Sequence, residues 1–255
     1  MCSLRRPLER RWRWLRQVTP TAERRRVKLH AAFAAEHGPT VLHGPFRGMT
    51  YPDAVLRSKS VYNLAARLLG SYEAELHDIV EGAVVDGYER VVDIGCGDGY
   101  YAVGLARRMP ACTVEAYDPD PVARDLTRAL AAANGVLDRV DIRHAASLAA
   151  LGPPTGRTFV KVDCEGCELE LLRPDESALL RRSTILVELH EFLRSGLTHD
   201  VLTRFAPTHA ALVVDWQPRS VDDYPEVASL EAHTAELILS EHRPGRVRWA
   251  LLTPA

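Results

Sequence analysis

Apolar residues recur along this chain with two different periods, and the change between them divides it. Before residue 89 the period is helical. Leu4, Leu8, Trp12 and Leu15 stand three or four apart with Arg on the other faces. VYNLAARLL reads as a helix stopped by Gly70, and SYEAELHDIVEGAV as another with Leu76, Ile79, Val80 and Ala83 on one face. Residues 31–52 read as loop, because HGPT, HGPF and RGMTYP supply turn residues. From residue 89 short apolar runs alternate with helical patterns. ERVVDIG, CTVEAYD, RVDIRH, TFVKVD, STILVELH, HAALVVDW and RVRWALLT are seven candidate strands. YYAVGLARRM, PVARDLTRALAAANG, ELELL, HDVLTRFA and AELILSEH are the helices between them. Such alternation predicts an α/β fold, a mostly parallel seven-stranded sheet with helices on both faces. The last strand follows the tight HRPGR break, which lets it run antiparallel at the end of the sheet. The expected organisation is a basic helical extension over 1–45, a helical lid over 46–88 and a catalytic domain over 89–255.

Composition narrows the classes. Hydrophobic residues are 46% and charged residues 26% of 255, ordinary for a globular protein, and the net charge of −2 offers no general attraction to nucleic acid. Residues 1–28 nevertheless carry nine Arg and one Lys. That basic amphipathic pattern suits a membrane surface, or an arm packed on this domain or on the other subunit of a homodimer. Two acidic residues and a short apolar stripe favour the arm, so neither membrane nor nucleic acid is expected as a partner. No run approaches the ~20 apolar residues of a membrane-crossing helix. MCSLRRPLERRWRWLRQV lacks the apolar core and cleavage site of a secretory signal. Five scattered cysteines make no disulfide framework, and a reducing cytoplasm is expected.

The strongest chemical signal is VVDIGCGDGYY, set between the first strand of the alternating half and a helix. Gly95, Gly97 and Gly99 let backbone turn sharply and approach a ligand, and Asp93 ends the strand. A dinucleotide fingerprint needs a third glycine where Tyr100 stands. The spacing instead resembles the first motif of class I methyltransferases, which bind S-adenosylmethionine. Asp118 ends the next strand 19 residues past Gly99 (118 − 99), near the ~20 expected of a carboxylate that holds a ribose. Ser147, after the third strand, is a candidate for the adenine or equally for a helix cap. Tyr72 and Glu73 are candidates for the methionine end.

FVKVDCEGCELELL mixes a C-x-x-C with carboxylates. Zinc would need further ligands that no second C-x-x-C supplies, and a redox pair would need a thioredoxin-like setting. The simpler reading of Cys164 and Cys167 is packing at a helix–sheet junction. Asp163 ends the fourth strand with Glu165 on the turn. On the fifth strand, period two puts Leu186, Glu188 and His190 on one face. Polar side chains on a buried strand are costly unless used or paired, so Asp163, Glu165, Glu188 and His190 are expected to converge beside the cofactor.

Taken together, VVDIGCGDGYYAVGLA, VKVDCEGCELELL and ILVELHEF resemble the FkbM-type branch of the class I S-adenosylmethionine-dependent methyltransferases. That branch shows Asp-x-Glu-Gly-x-Glu after the fourth strand, here Asp163, Glu165, Gly166 and Glu168. The resemblance spans residues ~60–255 and leaves 1–45 without a counterpart. It implies the Rossmann-like class I methyltransferase fold and methyl transfer to oxygen of a small natural product or sugar. For such chemistry His190 is a candidate general base, with Glu188 or Asp163 orienting it or acting instead. The same cluster is also suited to Mg²⁺ or another divalent ion. N-methylation of an amino sugar, and a nucleotide-binding module without catalysis, are the alternatives.

Overall fold

The computed structural model describes residues 20–241, 243, 245 and 247–255. The stripe of Leu4, Leu8, Trp12 and Leu15 lies outside them. Helix α1 spans Pro20–His37, so helix replaces the expected loop at 31–37. The Ala-rich stretch HAAFAAEH has nothing to break a helix until Gly38, whose φ is +85°. Short helices follow: α2 (Asp53–Leu56), α3 (Leu64–Leu69) and α4 (His77–Asp86). Before α2, the loop carries Phe46 onto the rings of Tyr100 and Tyr101, at 4.9 and 5.6 Å between centroids. The N-terminal helices and the sheet thereby share one apolar core.

The apolar runs form β1 (Arg90–Ile94), β2 (Thr113–Tyr117), β3 (Val140–Arg143), β4 (Thr158–Val162), β5 (Thr184–Leu189), β6 (His209–Asp215) and β7 (Arg248–Pro254). Between them lie α5 (Tyr100–Arg108), α6 (Pro121–Ala133), α7 (Leu148–Leu151), α8 (Glu168–Leu171), α9 (Ala178–Arg182), α10 (Leu197–Phe205), α11 (Pro225–Ala228) and α12 (Ala232–Leu239). The sheet order is β3-β2-β1-β4-β5-β7-β6. The first five strands run parallel, and β7 pairs antiparallel with both β5 and β6.

The last strand is antiparallel, but it lies inside the sheet and not at its end. Burial explains the placement. β7 brings Trp249, Ala250 and Leu252, all buried, whereas residues 210–213 of β6 are exposed. The more apolar strand takes the position covered on both faces. Period-two alternation divides the core: Val91 and Leu186 face one layer, Val92, Ile185 and Val187 the other. The chain runs outward from β1 to β3, then returns to β4 on the other side of β1. That reversal opens a crevice at the carboxyl ends of β1 and β4, where open α/β sheets bind ligands.

Candidate active site

The glycine loop sits in this crevice. Gly95 leaves β1 at φ +85°, and a Cβ there would stand 1.8 Å from the carbonyl oxygen of Asp163. The loop can therefore lie against the turn after β4 only as glycine. Gly97, at φ +59°, would give a Cβ with no atom within 4 Å, because it borders a cavity of about 200 Å³. Beneath the loop, Asp118 accepts from the Gly97 N–H at 3.0 Å and, with its other oxygen, from the Asp120 N–H at 2.8 Å. Gly99 precedes α5, whose first residue, Tyr100, is buried against the edge of Tyr72 at 5.4 Å. Tyr72, Gly95, Gly97, Tyr100, Asp163 and Glu165 border the cavity. Glu188 and His190 border it from β5.

Asp93, Asp118 and Ser147 do not border it. Asp93 is fully buried behind the loop. The hydroxyl of Ser147 caps α7 by accepting from the Ala150 N–H at 3.1 Å. Glu73 is also turned inward. Its carboxylate takes hydrogen bonds from Tyr101 and Arg243, the latter at 2.7 Å.

At the strand tips the four expected side chains are brought together. Nε2 of His190 lies 3.5 Å from Asp163 Oδ1 and 3.5 Å from Glu188 Oε1. Nδ1 of the same ring is hydrogen-bonded to Glu168. One ligand-capable atom each of Asp163, Glu165 and His190 lies within 4.8 Å of the others. Glu165 holds φ at +53°, a left-handed conformation unusual outside glycine and often found at functional sites. Cys164 and Cys167 are joined by a disulfide, so the expected pair of merely packed thiols is not what forms. The bond staples the same turn.

Residues 91–196 match a family model described as a methyltransferase domain. That stretch holds the glycine loop, the acid turn and His190 together. By that match residues 91–196 are similar to a methyltransferase domain. No curated protein matches. Among solved structures, the chain is similar to the O-methyltransferase TomG from Streptomyces achromogenes, solved in complex with SAM. Identity is 15%, the match covers 91% of this chain and 98% of that one, and the TM-score is 0.51. It is also similar to the Bacillus cereus O-methyltransferase solved with SAH, at 14% identity, 69% and 79% coverage and TM-score 0.47. At these identities the likeness concerns the fold.

The residues fit the cofactor. The open face of Gly97 leaves bare backbone toward the cavity, and Asp120, just past the end of β2, borders it where a nucleotide-binding fold would hold a ribose, while Asp118 supports the loop through the Gly97 N–H. Bound there, S-adenosylmethionine supplies an activated methyl on its sulfonium. The chain contributes position and charge.

Several groups at this site escape a reading of the sequence motifs. Lys161 is buried on β4, its ammonium 3.3 Å from Asp163 and 4.8 Å from the Tyr101 ring. It stands two residues before Asp163 and so shares its face, a signal visible in FVKVD. Arg67 binds Asp98, and Arg243 joins Glu73, Glu188 and Glu241. Arg243 comes from the far end of the chain, and no local pattern announces its partners.

Electrostatics changes the expected role of His190. Burial opposes its charge, but the Glu168 hydrogen bond and then Glu188, Glu165 and Asp163 outweigh burial and push it up to about 10. An imidazole so held keeps its proton near neutral pH, which disfavours it as the base. Burial likewise pushes the Glu188 carboxyl up, against Arg243 and with Asp163, to about 8.

Proposed function

We propose that the protein is a methyltransferase of the FkbM type and methylates a hydroxyl of a small natural product or sugar. One observation carries the reading. The carboxylates of Asp163 and Glu188 open into the same cavity as the glycine loop. Donor and proton acceptor therefore flank one small space, as in-line transfer to a hydroxyl requires. Removing the hydroxyl proton helps by ~10²–10⁴-fold in such reactions. Glu188, once ionised near and above its raised pKa of about 8, takes that proton, because both ring nitrogens of His190 are turned to carboxylates. Asp163 and Lys161 fix its surroundings. TomG and the Bacillus cereus protein are named as O-methyltransferases, which agrees with an oxygen acceptor.

Amino-sugar methylation has less support. The acids near the sheet's end that would attract a cationic acceptor are engaged elsewhere: Asp215 pairs with Arg248 at 2.8 Å and Glu226 with His43 at 2.8 Å, and neither borders the cavity. Residues 1–45 and 46–88 act as extension and lid in this reading. Free buried thiols at Cys96 and Cys112 favour a cytoplasmic setting, while the Cys164–Cys167 bond counts against it. Among the described residues no helix is long and apolar enough to cross a membrane.

The test has two stages. Calorimetric titration with S-adenosylhomocysteine should show binding that Asp118→Ala weakens. Labelled methyl transfer is then measured over matched panels of hydroxyl and amine acceptors. Product from the hydroxyl panel, lost in Glu188→Gln with cofactor binding intact, supports the proposal. Product from amines only overturns it.

A further inference from the structure

We infer that Cys164 and Cys167 form a reversible thiol–disulfide site, opened by a protein dithiol, whose closed state holds Glu165 at the cavity and whose open state releases it. The site lies in the turn that the proposed O-methylation uses, and the inference rests on that reading only for the effect on methyl transfer.

The cysteines themselves point to exchange. Cys164 and Cys167 are bonded, while Cys96 and Cys112 are free and buried. One bond among described cysteines that are otherwise thiols is no stapled framework. In a reducing compartment such a bond is usually transient and redox-sensing. Access within the pair is uneven, since Cys164 is half-buried and Cys167 buried. A thiolate of the dithiol therefore attacks Sγ of Cys164, and Cys167 leaves as a thiolate that takes a proton from water. The dithiol's second thiolate attacks its own sulfur in the mixed disulfide and releases Cys164, which is protonated in turn. The dithiol ends as its disulfide, and two electrons have passed to the pair.

Backbone geometry says what opening would change. The bond closes the ring Cys164-Glu165-Gly166-Cys167, whose ends stand 5.5 Å apart at Cα. Both residues inside it are left-handed, Glu165 at φ +53° and Gly166 at φ +107°. Glycine takes that conformation freely, but in Glu165 the Cβ crowds the following carbonyl, and such a backbone persists only where its surroundings impose it. The ring's flanks are fixed. Before it, the Asp163 N–H donates to the Ile94 carbonyl at 2.8 Å. After it, Glu168 is bonded to the buried His190. Between two held ends, the disulfide is the covalent constraint on Glu165. Once the bond opens, Glu165 relaxes toward right-handed backbone, and its carboxylate swings from the cavity that it now borders. Asp163, Glu188 and the glycine loop are held by other contacts. Reduction thus disturbs the acceptor's side of the cavity and spares the cofactor's.

The full chain is poised in mixtures of reduced and oxidised dithiothreitol, alkylated, and its peptides weighed. Cys164 and Cys167 should gain alkyl groups together, with the fold intact by circular dichroism, while the buried Cys96 and Cys112 stay protected. A trace of thioredoxin should speed the opening, and no acceleration overturns the protein dithiol as partner. In the reduced protein, amide exchange around Glu165 should rise and S-adenosylhomocysteine affinity should hold. Methyl transfer to a hydroxyl acceptor should fall by up to ~10²-fold, the cost of misplacing a reacting group by about 1 Å. The double variant Cys164→Ser, Cys167→Ser should behave as the reduced wild type in every mixture. A bond that opens only with unfolding overturns the inference, as does one that fails to form in folded protein under oxidised dithiothreitol. Opening that leaves amide exchange around Glu165 or methyl transfer as it was also overturns it. Failure of both redox forms to bind S-adenosylhomocysteine overturns the methyltransferase reading instead, and alkylation with amide exchange still decides the thiol–disulfide site.

Discussion

The imidazole of His190 and the carboxylate of Glu168 share a hydrogen bond with both side chains almost wholly buried. Glu168 opens α8 and His190 directly follows β5, so the bond ties the acid turn to the neighbouring strand. Removing one partner of a buried charged pair strands the other, at a cost of ~3–5 kcal/mol. Glu168→Ala should lose that much stability in urea unfolding. Glu168→Gln should lose clearly less, since its amide oxygen still accepts from Nδ1–H. Equal losses would mean that the negative charge of Glu168 carries its contribution, and neither its packing nor a neutral hydrogen bond does.

The glycine loop offers a sharper contrast. A Cβ on Gly95 would overlap the Asp163 carbonyl, 1.8 Å away. Backbone cannot yield as a flexible side chain can, so Gly95→Ala should displace the acid turn and abolish S-adenosylhomocysteine binding. Gly97→Ala meets nothing within 4 Å and pays chiefly for its φ of +59°. That conformation costs roughly 1–2 kcal/mol for an alanine. The Gly97 variant should fold and bind more weakly. Calorimetry on both decides, and equal affinities would remove the close contact from the account.

How far the sequence discloses this site depends on how local the information is. The glycine loop, Asp118 and the alternation that turns Glu188 and His190 to one face are consequences of short-range patterns. Period two on a strand specifies direction without tertiary knowledge. The position of β7 was not legible, because burial of Trp249 and Leu252 against both neighbours is decided across the whole sheet. The charge state of His190 was not legible either. It follows from Glu168, 22 residues away, and from desolvation that only packing creates. Ser147 had two readings from its type alone, and the N–H of Ala150 takes its hydroxyl as a cap.

Arg243 is the clearest case of a residue defined by distant partners. Its guanidinium meets Glu73 at 2.7 Å, Glu188 at 2.8 Å and Glu241 at 2.6 Å, and it stacks over Trp249. The planar fork can serve three carboxylates at once, which a lysine ammonium cannot reproduce. Arg243→Lys should therefore destabilise nearly as much as Arg243→Met, by ~3–5 kcal/mol, because each leaves buried carboxylates unpaired. Adding Glu73→Gln to Arg243→Met should recover part of the loss. Thermal unfolding of the series is the measurement. A near-neutral Arg243→Lys would show that any cation suffices there.

Asp93 gives the protein a pH signature separate from the strand-tip cluster. Its carboxyl is fully buried, and burial raises it, with Lys161 opposing and Asp163 and Asp118 adding, from 3.8 to about 6. The folded state thus holds this proton more tightly than the unfolded chain does. Its stabilising contribution is complete below about pH 4 and is lost as pH rises through about 6. A shift of this size corresponds to about 3 kcal/mol. Asp93→Asn cannot titrate and should lack that slope. The stability of the variant relative to wild type should climb between pH 4 and 6 and level off above. Denaturant unfolding at several pH values, without cofactor, reads the difference directly. Parallel curves for the two proteins would show that Asp93 carries its charge in the fold at no cost.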